Sequence, residues 1–230
     1  MIFTLPSPLS AGLLALTATL ACGCQIQSGA PASIATCSVP RIASAYERLP
    51  ASQRPTDVPA RPGVLPTPEL SDAEAEAAGA CVRPAHLAVA ARSGDGRLTG
   101  SADWRRFSTV FYRSEHGRYI DVSGNALAEN YLKFEDGPPL PVGAIVLKRG
   151  FIVRQSGEVI PEAQFTIEKM PQGYDPRVGD WKFTLIAGGT VIGESLGRDG
   201  DKVEYCVECH KSSWRQNFLF FIPPEYRPKS

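Results

Sequence analysis

A short motif near the end of this 230-residue chain has the residue types and spacing of a metal or cofactor site. It reads Cys-Val-Glu-Cys-His, so the thiols of Cys206 and Cys209 are three residues apart and the imidazole of His210 follows directly. Such a motif can be half of a zinc site, a redox-active dithiol, or the attachment point of a c-type haem. Each alternative requires different companions elsewhere in the chain.

The remaining cysteines argue against the first two alternatives. Of the six cysteines, Cys22 and Cys24 belong to the N-terminal segment, and outside the motif only Cys37 and Cys81 are left. Structural zinc needs four ligands in two close pairs, and the sequence has no second close pair. A thioredoxin-type dithiol opens a helix inside a βαβ unit, whereas this motif follows an antiparallel pattern. Cys37 and Cys81 form either a structural disulfide or two unpaired thiols.

Covalently bound haem c near the C-terminus is therefore the predicted cofactor. Cys206 and Cys209 would add across two vinyl groups, and His210 would be the proximal iron ligand. Because the motif comes last, after a β-rich region, the haem is expected between a sheet and a C-terminal segment. Met170 is the only methionine besides the initiator. It is a candidate sixth ligand, although packing in the core is the commoner role of a single methionine.

The N-terminal segment predicts export. An apolar run at residues 9–21 is too short to span a bilayer and ends in small residues, although no Lys or Arg precedes it. Residues 1–24 are therefore interpreted as an export signal. Cys22 also fits the lipidated cysteine of a bacterial lipoprotein, but Thr19 stands where Leu is usual, so simple cleavage is preferred. The protein is expected to be periplasmic or exported, with a lipid anchor as the second alternative.

The composition indicates how large a hydrophobic core the chain can form and which partners it is expected to bind. With 43% apolar residues, the chain can form one domain of ordinary size with a real core. Lys and Arg together number 24, and so do Asp and Glu. Because this balance creates no net positive field, nucleic acid is not an expected partner.

A proline-rich arm is predicted at residues 25–84. Seven prolines lie between residues 38 and 70, and each removes an amide donor and restrains φ, so neither helix nor sheet can propagate. One short surface helix is expected within the arm, with Ser71 as its N-cap and Gly79 as its stop. His86 comes two residues after Pro84, just past the arm, and is not expected to bind a metal.

The compact domain is predicted at residues 85–230, with an α+β fold in which a mainly antiparallel sheet has flanking helices. The segment 103–113 is expected to begin as a helix and pass into a strand, and 117–133 to form a strand, a turn and a helix. Trp104 and Trp181 are expected in the core. Four further strands are predicted, the last two joined by a hairpin at Gly188-Gly189; they lie at 142–153, 163–170, 180–187 and 190–196.

Residues 100–227 resemble the cytochrome P-460 family. The shared landmarks are the strand Gly-Ala-Ile-Val-Leu-Lys, the Met of Glu-Lys-Met, a Gly-Tyr-Asp-Pro turn before Gly-Asp-Trp, and the late haem motif followed by Phe-Leu-Phe-Phe. The resemblance implies a periplasmic homodimer with a five-coordinate haem that meets small nitrogen-oxide molecules. Enzymes of this family oxidise hydroxylamine, and the electrons would pass to a periplasmic carrier. The related cytochromes c′ of β type bind gases without that chemistry.

Two positions distinguish these branches. The resemblance implies that Lys148 is linked covalently to the haem ring in the enzymes, and strand alternation puts Ala144, Val146 and Lys148 on one face. A solvated lysine at a strand end is the alternative. The resemblance also implies a Glu shortly after the haem histidine, where this chain has Ser212, whose hydroxyl donates a hydrogen bond but is a poor base. Lys148 favours an oxidoreductase, whereas Ser212 as the distal residue favours gas binding or electron transfer.

Overall fold

The structure is a computed structural model that describes residues 36–56, 67–98, 100–114 and 117–229. All of these residues belong to one compact unit. The predicted export signal and its alternative, lipidation of Cys22, lie outside the described residues. Within the described ranges, no helix is both long enough and apolar enough to cross a membrane.

An open antiparallel sheet of eight strands forms the centre of the domain, which confirms the predicted α+β fold. The hydrogen-bonded order is β1-β3-β4-β6-β7-β8, while β2 pairs with β3 and β5 pairs with β4. The strands are β1 (Arg105–Arg106), β2 (Tyr112–Arg113), β3 (Tyr119–Gly124), β4 (Ile145–Val153), β5 (Val159–Pro161), β6 (Gln164–Lys169), β7 (Trp181–Ala187) and β8 (Thr190–Glu194). The α-helices are α1 (Pro40–Glu47), α2 (Asp72–Ser93) and α3 (Glu204–Lys211).

The predicted hairpin between the last two strands is confirmed. Gly188 and Gly189 have φ values of 59° and 86°, and they connect Ala187 of β7 to its partner Thr190 in β8. Both glycines adopt positive φ, which residues with a Cβ rarely do. The two-residue loop sets the register of β7 against β8.

The helix predicted at the start of segment 103–113 is wrong. Arg105 and Arg106 form strand β1 against the end of β3, and the Phe107 amide donates to the Val122 carbonyl at 2.7 Å. Pairing with β3 satisfies the hydrogen-bonding groups of the backbone here, and a local preference for helix does not outweigh that pairing. The helix predicted after β3 is present at Ala126–Asp136 but is largely a 3-10 helix.

Helix α2 begins where the sequence predicts and ends much later. Ser71 and Glu74 form a capping box at its N-terminus. The helix then continues through Gly79 and ends at Ser93, so its full length is 22 residues. Gly79 is a point of close contact, because a Cβ there would overlap the ring of Phe111. A buried face of small residues therefore packs against the domain, and α2 is not a surface helix.

The boundary predicted at residue 85 falls inside α2, so part of the predicted arm belongs to the compact unit. A disulfide joins Cys37 to Cys81 in α2, which confirms the first of the two alternatives for these cysteines. The Cys37 carbonyl also accepts from the amide of Val159 in β5 at 2.9 Å. Proline spacing does not reveal these long-range contacts, because they depend on residues far apart in the chain.

Both faces of the sheet are covered. Helix α2 covers one face, where its buried residue His86 donates from Nε2 to the Gly150 carbonyl at 2.9 Å. On the other face, Val146 of β4 shares a core cluster with Val207 of α3 and Leu219. This second face carries the candidate site.

Candidate functional site

A cavity of about 700 Å³ lies between the sheet and the C-terminal segment that contains α3. Its sheet wall includes Val146, Lys148 and Phe165, and the opposite wall includes α3 and Phe220. Alternation along β4 brings Val146 and Lys148 to this wall, while Leu147 packs in a different core cluster. The predicted common face of Val146 and Lys148 is therefore confirmed.

Helix α3 presents both thiols of the motif to the cavity. Cys206 and Cys209 lie three residues apart on one helix face, and both line the cavity as free thiols. Val207 between them is fully buried and anchors the helix to the core. Burial raises the pKa of the Cys206 thiol, so the group is protonated near neutral pH.

His210 is held at the end of α3 by one hydrogen bond and two aromatic contacts. Its Nδ1 donates to the Phe218 carbonyl at 2.6 Å. Because a carbonyl only accepts, the proton lies on Nδ1, and the lone pair of Nε2 is available to a ligand. The rings of Phe183 and Phe220 lie edge-on, with centroids 4.8 Å and 4.9 Å from the imidazole centroid.

Lys148 lies beside the motif, although 58 residues separate it from Cys206 in the chain. Burial and, second, the positive charge of Lys148 lower the pKa of His210 to about 4. The same charge opposes the effect of burial on the pKa of Cys206. The imidazole is therefore neutral at pH 7, and the ammonium group is close enough to act on both motif residues.

Two predicted site residues do not line the cavity. Ser212 is exposed at the end of α3, and its hydroxyl donates to the Cys209 carbonyl at 2.7 Å. Met170 is half-buried just after β6, and its amide donates to the Asp180 carbonyl at 2.9 Å. The Ser212 hydroxyl is thus bonded to its own helix, and the Met170 backbone is bonded to the residue that precedes β7. Their predicted roles as distal residue and sixth ligand find no support in these positions.

Several polar cavity residues were not singled out from the sequence. Arg113 and Arg118 line the cavity from the ends of the β2–β3 turn, and Glu162 and Tyr205 line it nearby. Arg118 Nε is 2.5 Å from a carboxylate oxygen of Glu162. Of these residues, only Tyr205 had a signal in the sequence, namely its position next to Cys206. Arginines in a turn are usually solvated, so Arg113 and Arg118 gave no such signal.

The fold and the site together define an α+β protein with an antiparallel sheet and a cavity that holds two thiols and a neutral imidazole. In the described part of the chain, no group of three or more His, Cys, Asp and Glu side chains is arranged to hold a metal ion. No protein-family model matches the chain, and no curated protein matches it.

Proposed function

We propose that this is an exported c-type haem protein in which Cys206, Cys209 and His210 hold haem c. One observation carries the proposal: Cys206, Cys209 and His210 all line the same cavity. In addition, the Nδ1 bond to the Phe218 carbonyl leaves Nε2 of His210 available. Metal-binding histidines usually donate their other ring N–H to a carbonyl or carboxylate in this way. The neutral state of His210 at pH 7 is the state that binds a metal.

The cavity also suits a large, mostly apolar cofactor. Its volume of about 700 Å³ is within the range of roughly 300–1,000 Å³ that cofactor sites occupy. Aliphatic and aromatic side chains form much of its wall, including Ile120, Ile167 and Phe221. The free thiols of Cys206 and Cys209 are the groups that thioether attachment requires.

The proposed activity is redox chemistry on small nitrogen species such as hydroxylamine or nitric oxide. Haem c supplies an iron that exchanges electrons and binds small molecules. His210 would hold the proximal side, and the position of Met170 outside the cavity favours a five-coordinate iron. Lys148 in the cavity wall favours the enzyme branch of the resemblance. A periplasmic electron carrier would be the redox partner, and a homodimer follows from the resemblance.

A non-catalytic haem module for gas binding or electron transfer is the second candidate. The observation in its favour is the position of Ser212, which bonds the Cys209 carbonyl and supplies no base to the cavity. In the hydroxylamine-oxidising members of the family that the chain resembles, a Glu in this region accepts a proton. Without that group, the chain would bind a ligand or relay electrons without turnover.

The disulfide between Cys37 and Cys81 supports export. Disulfides persist in oxidising compartments such as the periplasm and are rare in the cytosol. This support is independent of the N-terminal signal.

Expression with a cytochrome c maturation system tests the proposal. We expect a haem c absorption spectrum, in oxidised and dithionite-reduced forms, and an intact mass that includes one haem. Replacing Cys206 and Cys209 with Ser abolishes the covalent adduct, while the matched control, Cys37→Ser with Cys81→Ser, retains it. A colourless wild-type protein without an adduct contradicts the proposal. Turnover of hydroxylamine with an added electron acceptor then separates the enzyme from the non-catalytic module.

A further inference from the structure

The loop between β6 and β7, residues 170–180, is closed on itself by hydrogen bonds. The Met170 amide donates to the Asp180 carbonyl at 2.9 Å. The Asp180 carboxylate accepts from the amides of Gly173 and Asp175 at 3.1 Å and 3.0 Å. Aspartate side chains commonly fix turns in this way, by bonding nearby backbone amides. The loop is therefore held in one conformation where it enters β7.

Gly179 is the point at which this loop contacts the turn that holds His210. Its φ is 60°, and a Cβ there would lie 2.6 Å from the ring of Phe218, which leaves no room for a side chain. Phe218 itself has a φ of 62°, which residues with a Cβ rarely adopt. The close contact of its ring with Gly179 therefore supports a backbone conformation that is otherwise unfavourable.

Lys169, the last residue of β6, fixes Gly179. Its Nζ donates to the Gly179 carbonyl at 2.6 Å and lies 5.3 Å from the centroid of the Trp181 ring. A charge-assisted hydrogen bond of this kind is roughly twice as strong as a neutral one. The backbone of Lys169 is bonded into the sheet, since its amide donates to the Ala144 carbonyl at 2.9 Å. The ammonium group thus ties Gly179 to the sheet.

We propose that Lys169 and Gly179 are positioning residues for the imidazole of His210. Lys169 fixes Gly179, and Gly179 accommodates the ring of Phe218. The Phe218 carbonyl then accepts from His210 Nδ1 at 2.6 Å. Neither positioning residue lines the cavity, so both act through Phe218.

This arrangement has a consequence for a metal bound at Nε2 of His210. A histidine that donates from its other ring nitrogen is fixed in one tautomer and is a more basic ligand. The effect on a bound iron rests on the proposed function. The positioning of the imidazole does not, because it depends only on contacts within the chain.

NMR of nitrogen-labelled histidine in the full chain, expressed without haem, tests the positioning. The wild type should show one tautomer of His210, with the proton on Nδ1. Gly179→Ala should show both tautomers, because the added methyl group displaces Phe218 and its carbonyl. Gly188→Ala is the matched control and should resemble the wild type. Gly188 has a φ of 59° and nothing within 4 Å of a Cβ, so the substitution brings similar backbone strain without the contact.

Lys169→Met is a second variant, which decides the matter if Gly179→Ala does not fold. Methionine keeps an apolar stem and removes the ammonium group, so the second tautomer of His210 should again appear. Lys182→Met, which removes a lysine paired with Glu194, is its control. An unchanged tautomer in Lys169→Met and in folded Gly179→Ala overturns the inference. A change of the same size in the control variants also overturns it, because the imidazole then responds to any perturbation of the sheet.

The haem-loaded protein gives a separate readout, the reduction potential. A less basic His210 stabilises the ferric iron less, so the potential should rise in Gly179→Ala and Lys169→Met and stay at the wild-type value in both controls. An unchanged potential in a variant whose tautomer has changed overturns the effect on the iron. A wild-type protein that takes up no haem overturns the proposed function, and the NMR result alone then decides the positioning.

Discussion

His210 Nδ1 donates to the Phe218 carbonyl at 2.6 Å, and this bond sets both the proton position and the orientation of the imidazole. The turn that presents the carbonyl is unusual, since Asn217 and Phe218 have φ values of 54° and 62°. Trp181 in β7 restrains this turn, because its Nε1 donates to the Asn217 carbonyl at 2.9 Å. A residue of the sheet core thus determines how the last residue of the motif is held.

Trp181→Phe tests this relationship, because it removes the indole N–H and keeps an aromatic ring. We expect the free energy of unfolding to fall by about 1–3 kcal/mol from the lost hydrogen bond and the smaller side chain. The yield of covalent haem should fall with it, because the carbonyl that orients His210 is no longer restrained. Urea denaturation and the haem-to-protein absorbance ratio measure both effects. Trp104→Phe, at a half-buried tryptophan outside the cavity lining, should leave the haem yield unchanged.

Lys148→Met tests the predicted haem cross-link, because methionine keeps an apolar stem and removes the amine. If the enzyme branch is correct, the wild-type protein has a strongly red-shifted reduced Soret band, and the variant reverts fully to an ordinary haem c spectrum. Lys202→Met, at a lysine that does not line the cavity, is the control and should match the wild type. Identical spectra for wild type and Lys148→Met would contradict the cross-link and favour gas binding or electron transfer.

The Cys37–Cys81 disulfide should contribute substantially to stability, because it closes a long loop with a sequence separation of 44. Replacing both cysteines with Ala should lower the free energy of unfolding by about 2–4 kcal/mol. Urea denaturation with and without dithiothreitol measures the effect. The reductant should destabilise the wild type and leave the double variant unchanged; equal sensitivity of both proteins would show that the bond is not formed.

Buried His86 should make stability depend on pH. Burial lowers the pKa of His86, while the charges of Asp121 and Arg149 act on it in opposite directions. In the unfolded chain the imidazole takes up its proton as the pH falls through about 6.5, before the folded protein does. Stability is therefore full above that pH and falls below it, by at most about 1.4 kcal/mol per pH unit for this group.

The measurement is the free energy of unfolding at pH 7.5 and pH 5.5 for the wild type and His86→Gln. Glutamine can still donate to the Gly150 carbonyl, but it does not titrate. The variant should lose less stability than the wild type between the two pH values. An equal loss in both proteins would show that other groups cause the pH dependence.

Local patterns predicted most of the strands and the start of helix α2, but not where that helix ends. β4 is rich in β-branched residues, and β6 alternates Phe165 and Ile167 with polar neighbours. The Gly-Gly pair at 188–189 has the backbone freedom that a tight hairpin needs. Helix α2 was predicted to stop at Gly79, because glycine often ends helices. Gly79 instead lets the helix approach Phe111, and that requirement becomes visible only when the two segments pack together.

The sequence by itself determined which reactive groups the site holds, because the spacing of Cys206, Cys209 and His210 is a local property of one helix end. Alternation along β4 likewise determined that Val146 and Lys148 share a face. Only the tertiary structure decided which residues surround that motif. The neutral state of His210, the position of Lys148 beside it and the ion pair of Arg118 with Glu162 in the cavity wall depend on burial and strand register between segments far apart in the chain. Local sequence does not encode those distances, since many distant contacts set them at once.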